Sequence, residues 1–278
     1  IKDRPTFMSE DVWIFRSEPG TQSEWDDSRL NDETYCNSLK LSSGNYELLN
    51  AYGTRFGKNY VQNEASAAVV FIDSTMLLNC DVIDLPGFGT GDRFEDDMPA
   101  LKAKQKADVL VYLSIANGFM RGEDISYIRE SISGLNIVET KTNNYQGIAP
   151  LSNLFIVASQ AHAVDKGNPI SLKKILDEGC TRFERTLTER FWEGRTEASG
   201  CEYTPDLLRD RFFTYTSDIE SLRIDFEDKL RYIVEALPKM VEQQAKQIIK
   251  AWAQNKSEAI QIQLDGYGKL LEERETCE

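Results

Sequence analysis

The densest cluster of residues able to do chemistry is Cys80-Asp81-Val82-Ile83-Asp84-Leu85-Pro86-Gly87-Phe88-Gly89-Thr90-Gly91. An apolar run suited to a buried strand ends on Asp84, and a turn with one proline and three glycines follows at once. A carboxylate at the carboxyl end of a parallel strand lies where open α/β sheets take their ligands, and it can hold a hydrated Mg²⁺. Gly87 has no Cβ, so its backbone N–H can approach a phosphate closely. The same residues also spell a plain strand closed by a Pro-Gly turn. The chemical reading therefore requires a sheet that delivers Asp84 to its edge.

A second stretch, Gly53-Thr54-Arg55-Phe56-Gly57-Lys58-Asn59, invites a phosphate-loop reading and fails it. That loop needs four residues between its glycines and a hydroxyl after the lysine to ligate Mg²⁺; here three intervene and Asn59 follows Lys58. The five cysteines have no C-x-x-C spacing and no nearby histidines, which argues against zinc and for reduced, mostly buried thiols of a cytosolic protein. A net charge of −14 argues against a nucleic-acid binder and against this part of the chain lying on an anionic membrane. No apolar run reaches the roughly 20 residues of a membrane span, and no signal peptide opens the chain. Because residue 1 is Ile1 rather than methionine, an upstream segment is expected.

The elements that must position Asp84 follow from hydrophobic periodicity. Val12-Trp13-Ile14-Phe15 suits a strand. Residues 18–60 read as an insertion, a polar loop followed by two short helices around Leu39 and Leu48. Residues 67–73 make a clear strand, expected to pair antiparallel with the strand ending at Asp84. The helix through Ala107 that follows the glycines fits either a switch segment or a solvated face. Strands at 108–115 and 154–159 alternate with helices near 122–133 and 171–192. A polar loop is expected over 137–150 and another over 194–200, with a short helix near Asp206 and a last strand over 211–216. Such alternation predicts a parallel sheet covered on both faces. From Asp225 onward the pattern is helix alone, with Pro238 marking a bend or boundary. Its stripe, from Phe226 through Trp252 to Leu271, needs other elements to bury it.

Asp84-Leu85-Pro86-Gly87-Phe88-Gly89 resembles the D-x-x-G element of GTPases in the spelling typical of dynamin-like proteins. The order of elements over residues 1–275 is similar to theirs. The chain resembles part of a bacterial dynamin-like GTPase, the LeoA-like proteins encoded beside enterotoxin-secretion genes being the nearer likeness. This resemblance implies an α/β fold: a Ras-like GTPase domain over 1–222, with a mostly parallel sheet covered by helices on both faces, then an α-helical bundle segment over 223–278. It implies GTP and Mg²⁺ as cofactors, with Thr6 and Asp84 at the metal and Gly87 sensing the terminal phosphate. The base would be met by Ser159, His162, Asp165 and Ser217. Expected partners are guanine nucleotide, a further copy of the chain, and a membrane met through regions outside it, but no nucleic acid; the expected place is the cytoplasm, with membrane association.

Two departures accompany the resemblance. In the guanine-reading motif [NT]-K-x-D the aspartate is replaced by His162 and the lysine by Gln160, and a neutral imidazole is not the bidentate acceptor that a carboxylate is. Asp165 stands nearby as a substitute. The first strand, the P-loop and its helix are also missing, so an upstream segment carrying G-x-x-x-x-G-K-[ST] is expected. A GTPase-like interaction module without nucleotide is the competing reading.

Overall fold

The computed structural model describes residues 4–18, 25–53, 65–85, 107–139 and 148–276. Gly87 and the glycine-rich turn around it lie outside the described residues. In chain order the elements are β1 (Val12–Phe15), α1 (Glu33–Leu39), β2 (Lys40–Gly44), α2 (Glu47–Tyr52), β3 (Ala67–Val70), β4 (Leu110–Ile115) and α3 (Gly122–Gly134). They continue as β5 (Leu154–Ser159), α4 (Pro169–Glu184), α5 (Glu193–Ser199), α6 (Pro205–Arg209), β6 (Phe212–Thr214) and α7 (Ile224–Thr276). The chain divides into two compact units, Ile1–Leu110 with Gly122–Asn136 and Val111–Arg121 with Ile137–Glu278.

In the first unit an antiparallel sheet runs β2-β1-β3, with Trp13 opposite Ser43 on one side and Val69 on the other. β1 is buried at all four positions, because a strand flanked by two others and packed on both faces has no polar side to present. Trp13 and Phe15 join Met8, Tyr35, Leu39 and Phe71 in one core, and Phe15 stacks on Trp25 at 4.6 Å. α1 begins at Asp32, whose carboxylate accepts from the Tyr35 backbone N–H at 2.9 Å. That bond, together with the Arg29 side chain, holds the Asp32 carboxyl below its ordinary range.

Three expectations fail in this unit. β3 pairs with β1, not with a strand ending at Asp84. Residues 80–85 form no strand, and Val82 and Ile83 are 61% and 52% exposed. An apolar run becomes a strand only where a ladder and a packed face receive it, and the described residues give this run neither. Lys40–Gly44, read as part of a helical insertion, is the strand β2, because α1 stops at Lys40, whose backbone is extended.

In the second unit a three-stranded parallel sheet runs β4-β5-β6, with Ile156 opposite Phe212 and Val157 opposite Phe213. The fold is thus mixed α/β; among the described residues it has one antiparallel and one parallel sheet of three strands each, where a single mostly parallel sheet was expected. β5 is central, and its first five residues are buried. α4 starts at Asn168, whose side chain accepts from the Ile170 and Ser171 N–H groups, with Pro169 pre-set at the first helical position. It buries Leu172, Cys180 and Phe183, and at Gly179 a Cβ would lie 2.8 Å from the Phe119 ring, so only glycine fits.

α4 ends at Glu184, well short of Trp192, and residues read as the loop 194–200 lie in α5 and its αL cap at Gly200. The first turns of α7 pack on the sheet. Phe226 meets the rings of Phe155, Phe213 and Tyr215 at 5.7, 6.0 and 5.6 Å, and Ile233, Val234 and Met240 are buried. The helix then runs through Pro238 without ending there. Among the described residues no helix is long and apolar enough to cross a membrane.

Candidate functional site

The carboxyl ends of β5 and β6 carry four of the residues singled out by sequence: Ser159, His162, Asp165 and Ser217. Ser159 ends β5, and its hydroxyl donates to the Ser114 carbonyl at 3.1 Å while its own carbonyl accepts from the Ala116 N–H at 2.8 Å. Its side chain therefore fastens β5 to β4. Gln160 then adopts a left-handed conformation (φ 54°), and the chain makes two short turns, 161–163 and 165–167.

The first turn is tied to the end of β6 at two points. The Ala161 N–H donates to the Tyr215 carbonyl at 3.1 Å, and His162 Nδ1 lies 2.8 Å from Thr216 Oγ1. Thr216 is buried, whereas His162 itself is exposed. The imidazole is thereby held directly before Ser217, whose hydroxyl donates to Asp218 at 2.8 Å. The second turn holds Asp165 and Lys166 at φ 46° and 55°, a conformation that costs a residue with a Cβ roughly 1–3 kcal/mol and is concentrated at functional loops. Asp165 faces the start of α4, where its Oδ2 accepts from the Ser171 hydroxyl at 2.8 Å.

Beside Asp165 opens a cleft of about 420 Å³ at the carboxyl ends of β4 and β5, lined by Asn117, Phe119 and Val164 and by Glu178 and Arg182 of α4. The Arg182 guanidinium donates to the Phe119 carbonyl at 2.8 Å and so fixes the loop after β4. A crevice outside the carboxyl ends of parallel strands is where α/β sheets bind ligands.

The other candidates belong to the first unit. Thr6 is exposed in a turn closed by the Met8 N–H donating to the Pro5 carbonyl at 2.9 Å. Asp84 is an exposed carboxylate in residues 80–85, which form no strand, so it does not stand at a strand tip. Mg²⁺ takes one or two carboxylates with phosphate and water. Among the described residues no group of three His, Cys, Asp or Glu is placed to hold a metal, and Asp84 is not held by a strand. Thr6 and Asp84 are thus two exposed residues of the first unit, and the glycine turn that would complete a Mg²⁺ site with them lies outside the described residues.

One constellation had no signal in the sequence. Glu139, buried, forms a salt bridge with Arg195 at 3.0 Å and accepts from the Tyr203 hydroxyl at 2.6 Å, while Trp192 stacks on Tyr203 at 5.0 Å. Burial first, then the Glu139 carboxylate, push the Tyr203 hydroxyl up to about 12. These partners are too far apart in sequence for any spacing rule to join them. No family model, curated protein or solved structure matches this chain.

Proposed function

We propose that this chain is part of a dynamin-like GTPase whose second unit meets the base of a guanine nucleotide at the carboxyl ends of β5 and β6. One observation carries the reading: the loop after β5 is bonded to the end of β6 through His162 and Thr216, so that His162 and Ser217 share one edge of a parallel sheet. The left-handed residues Gln160, Asp165 and Lys166 support it, because three of the left-handed non-glycine residues fall in the loop that the ligand would meet. In this reading GTP hydrolysis changes the state of the Ras-like domain, and α7, packed on the same sheet through Phe226, carries that change into a helical bundle for membrane remodelling or secretion. Neither the attacking water nor Mg²⁺ is assigned to a residue here.

Titration of the full-length protein with GTP, GDP and ATP tests this reading. Binding of GTP and GDP at micromolar concentrations, with slow GTP turnover, is the expected outcome. Absence of binding at millimolar nucleotide removes it, and leaves the interaction module that His162 in the aspartate position favours.

A further inference from the structure

The cleft of about 420 Å³ beside Asp165 belongs wholly to the second unit, and His162 does not line it. Its long wall is α4. Ile175, Glu178 and Arg182 line the cleft, and with Ser171 they fall at i, i+4, i+7 and i+11, which puts all four on one face of that helix. Ser171 donates to Asp165 at 2.8 Å and so sets this carboxylate at the amino-terminal end of the face. The order along the wall is then acid, apolar, acid, base: Asp165, Ile175, Glu178, Arg182.

Glu178 and Arg182 stand one turn apart, the spacing at which such a pair ordinarily joins on a helix surface. Here they are not joined. Arg182 reaches instead to the Phe119 carbonyl at 2.8 Å, and among the described residues it makes no ion pair. Glu178 meets the exposed Lys174 at 3.9 Å, a surface contact worth little. Asp165 Oδ1 has no partner among the described residues. A negative and a positive group are therefore held apart on the cleft wall, with a second negative group beyond the half-buried Ile175.

We propose that this cleft binds a free basic α-amino acid such as lysine, a site separate from the nucleotide reading above and independent of it. The ligand's carboxylate meets Arg182, its α-ammonium Glu178 and its ε-ammonium Asp165, through charge-assisted hydrogen bonds. Its methylene stem lies along Ile175 and Val164. Ser171 and Glu178 are seven residues apart, roughly 10 Å along the helix, a span that an extended lysine crosses with a hydrogen bond at each end. The charges also match, since two carboxylates and one guanidinium face two ammonium groups and one carboxylate. The same two carboxylates repel a triphosphate, so the cleft is not a phosphate site.

An NMR-detected titration of the full-length protein without nucleotide tests this, with L-lysine, norleucine (no ε-ammonium) and cadaverine (no carboxylate) as probes at fixed ionic strength. Lysine is expected to bind with a Kd of about 0.1–1 mM, and norleucine and cadaverine about tenfold or more weaker, the scale of one lost charge-assisted hydrogen bond. Arg182 also fixes the loop after β4, so its part is read with cadaverine rather than with a variant. Asp165→Asn should weaken lysine about tenfold and leave norleucine unchanged, whereas Glu178→Gln should weaken both. Cadaverine binding as tightly as lysine would reduce the effect to the attraction of cations by a chain of net charge −14, and overturns the proposal. So does any other pattern in the two variants, or the absence of lysine binding at about 10 mM. Because no nucleotide is present, a failed GTP titration leaves a lysine site standing, and failure of lysine to bind leaves the nucleotide reading standing.

Discussion

Glu139 is 2% exposed, and removing a carboxylate from water is tolerable only because Arg195 and Tyr203 both donate to it. The arrangement predicts a pH dependence whose sign follows from Tyr203. Its folded pKa, about 12, lies above the ordinary 10, so the folded state keeps a proton that the unfolded chain has lost. The resulting stability is complete below about pH 10 and falls as pH rises through about 12. Urea unfolding measured from pH 9 to 12 should show this decline, and Tyr203→Phe should flatten it; an unchanged slope in the variant would assign the decline to other groups. At this scale the sequence was legible where a residue sits at a strand end. Periodicity located the strands that His162 and Ser217 follow, the resemblance to GTPases singled those two residues out, and the structure sets His162 against Thr216 beside Ser217. Glu139 meets partners 56 and 64 positions away, a proximity that depends on the tertiary fold and leaves no local pattern.

Elements were legible where their burial is self-evident. β5 is apolar and buried over its first five residues, and it emerged from its apolar run alone. The run ending at Asp84 looks equally apolar, yet forms no strand, because side-chain pattern cannot report whether a neighbouring ladder exists. Pro238 is the converse case: of the bend or boundary expected there, the boundary is absent, since α7 continues through it. A proline ordinarily ends or kinks a helix by leaving the carbonyl four residues earlier without its donor, but Pro238 lies on the exposed side of α7 and the helix continues through it. The helix still bears the cost. Pro238→Ala should restore the missing bond and raise the unfolding free energy by about 1–3 kcal/mol, measured by urea denaturation. A loss of stability instead would mean that the bend itself aligns the buried residues Val234 and Met240 on the sheet.

For the whole molecule, a net charge of −14 and a sheet on each of two units describe most of the chain, but α7 departs from both patterns. Its first turns bury Phe226, Ile233 and Met240, while beyond Pro238 the same stripe continues into water, with Ile248, Ile249 and Trp252 at 69%, 65% and 63% exposure. Between 241 and 271 four lysines (Lys246, Lys250, Lys256, Lys269) accompany three carboxylates (Glu242, Glu258, Asp265), so this segment lacks the acidic excess that keeps the remainder apart from other surfaces. Among the described residues this stripe lies open to solvent on a nearly neutral helix. Ile248 and Trp252 lie one helical turn apart, so replacing both by glutamate should leave the unfolding free energy of the 278-residue chain within about 0.5 kcal/mol, as for other exposed positions. The same pair of substitutions should remove most of the fluorescence enhancement of an apolar dye bound to the native chain, because the dye's site is the stripe itself. A loss of more than about 2 kcal/mol, the scale of burying a charge without a partner, would show instead that the stripe is covered in solution and that α7 folds back on the chain beyond Pro238.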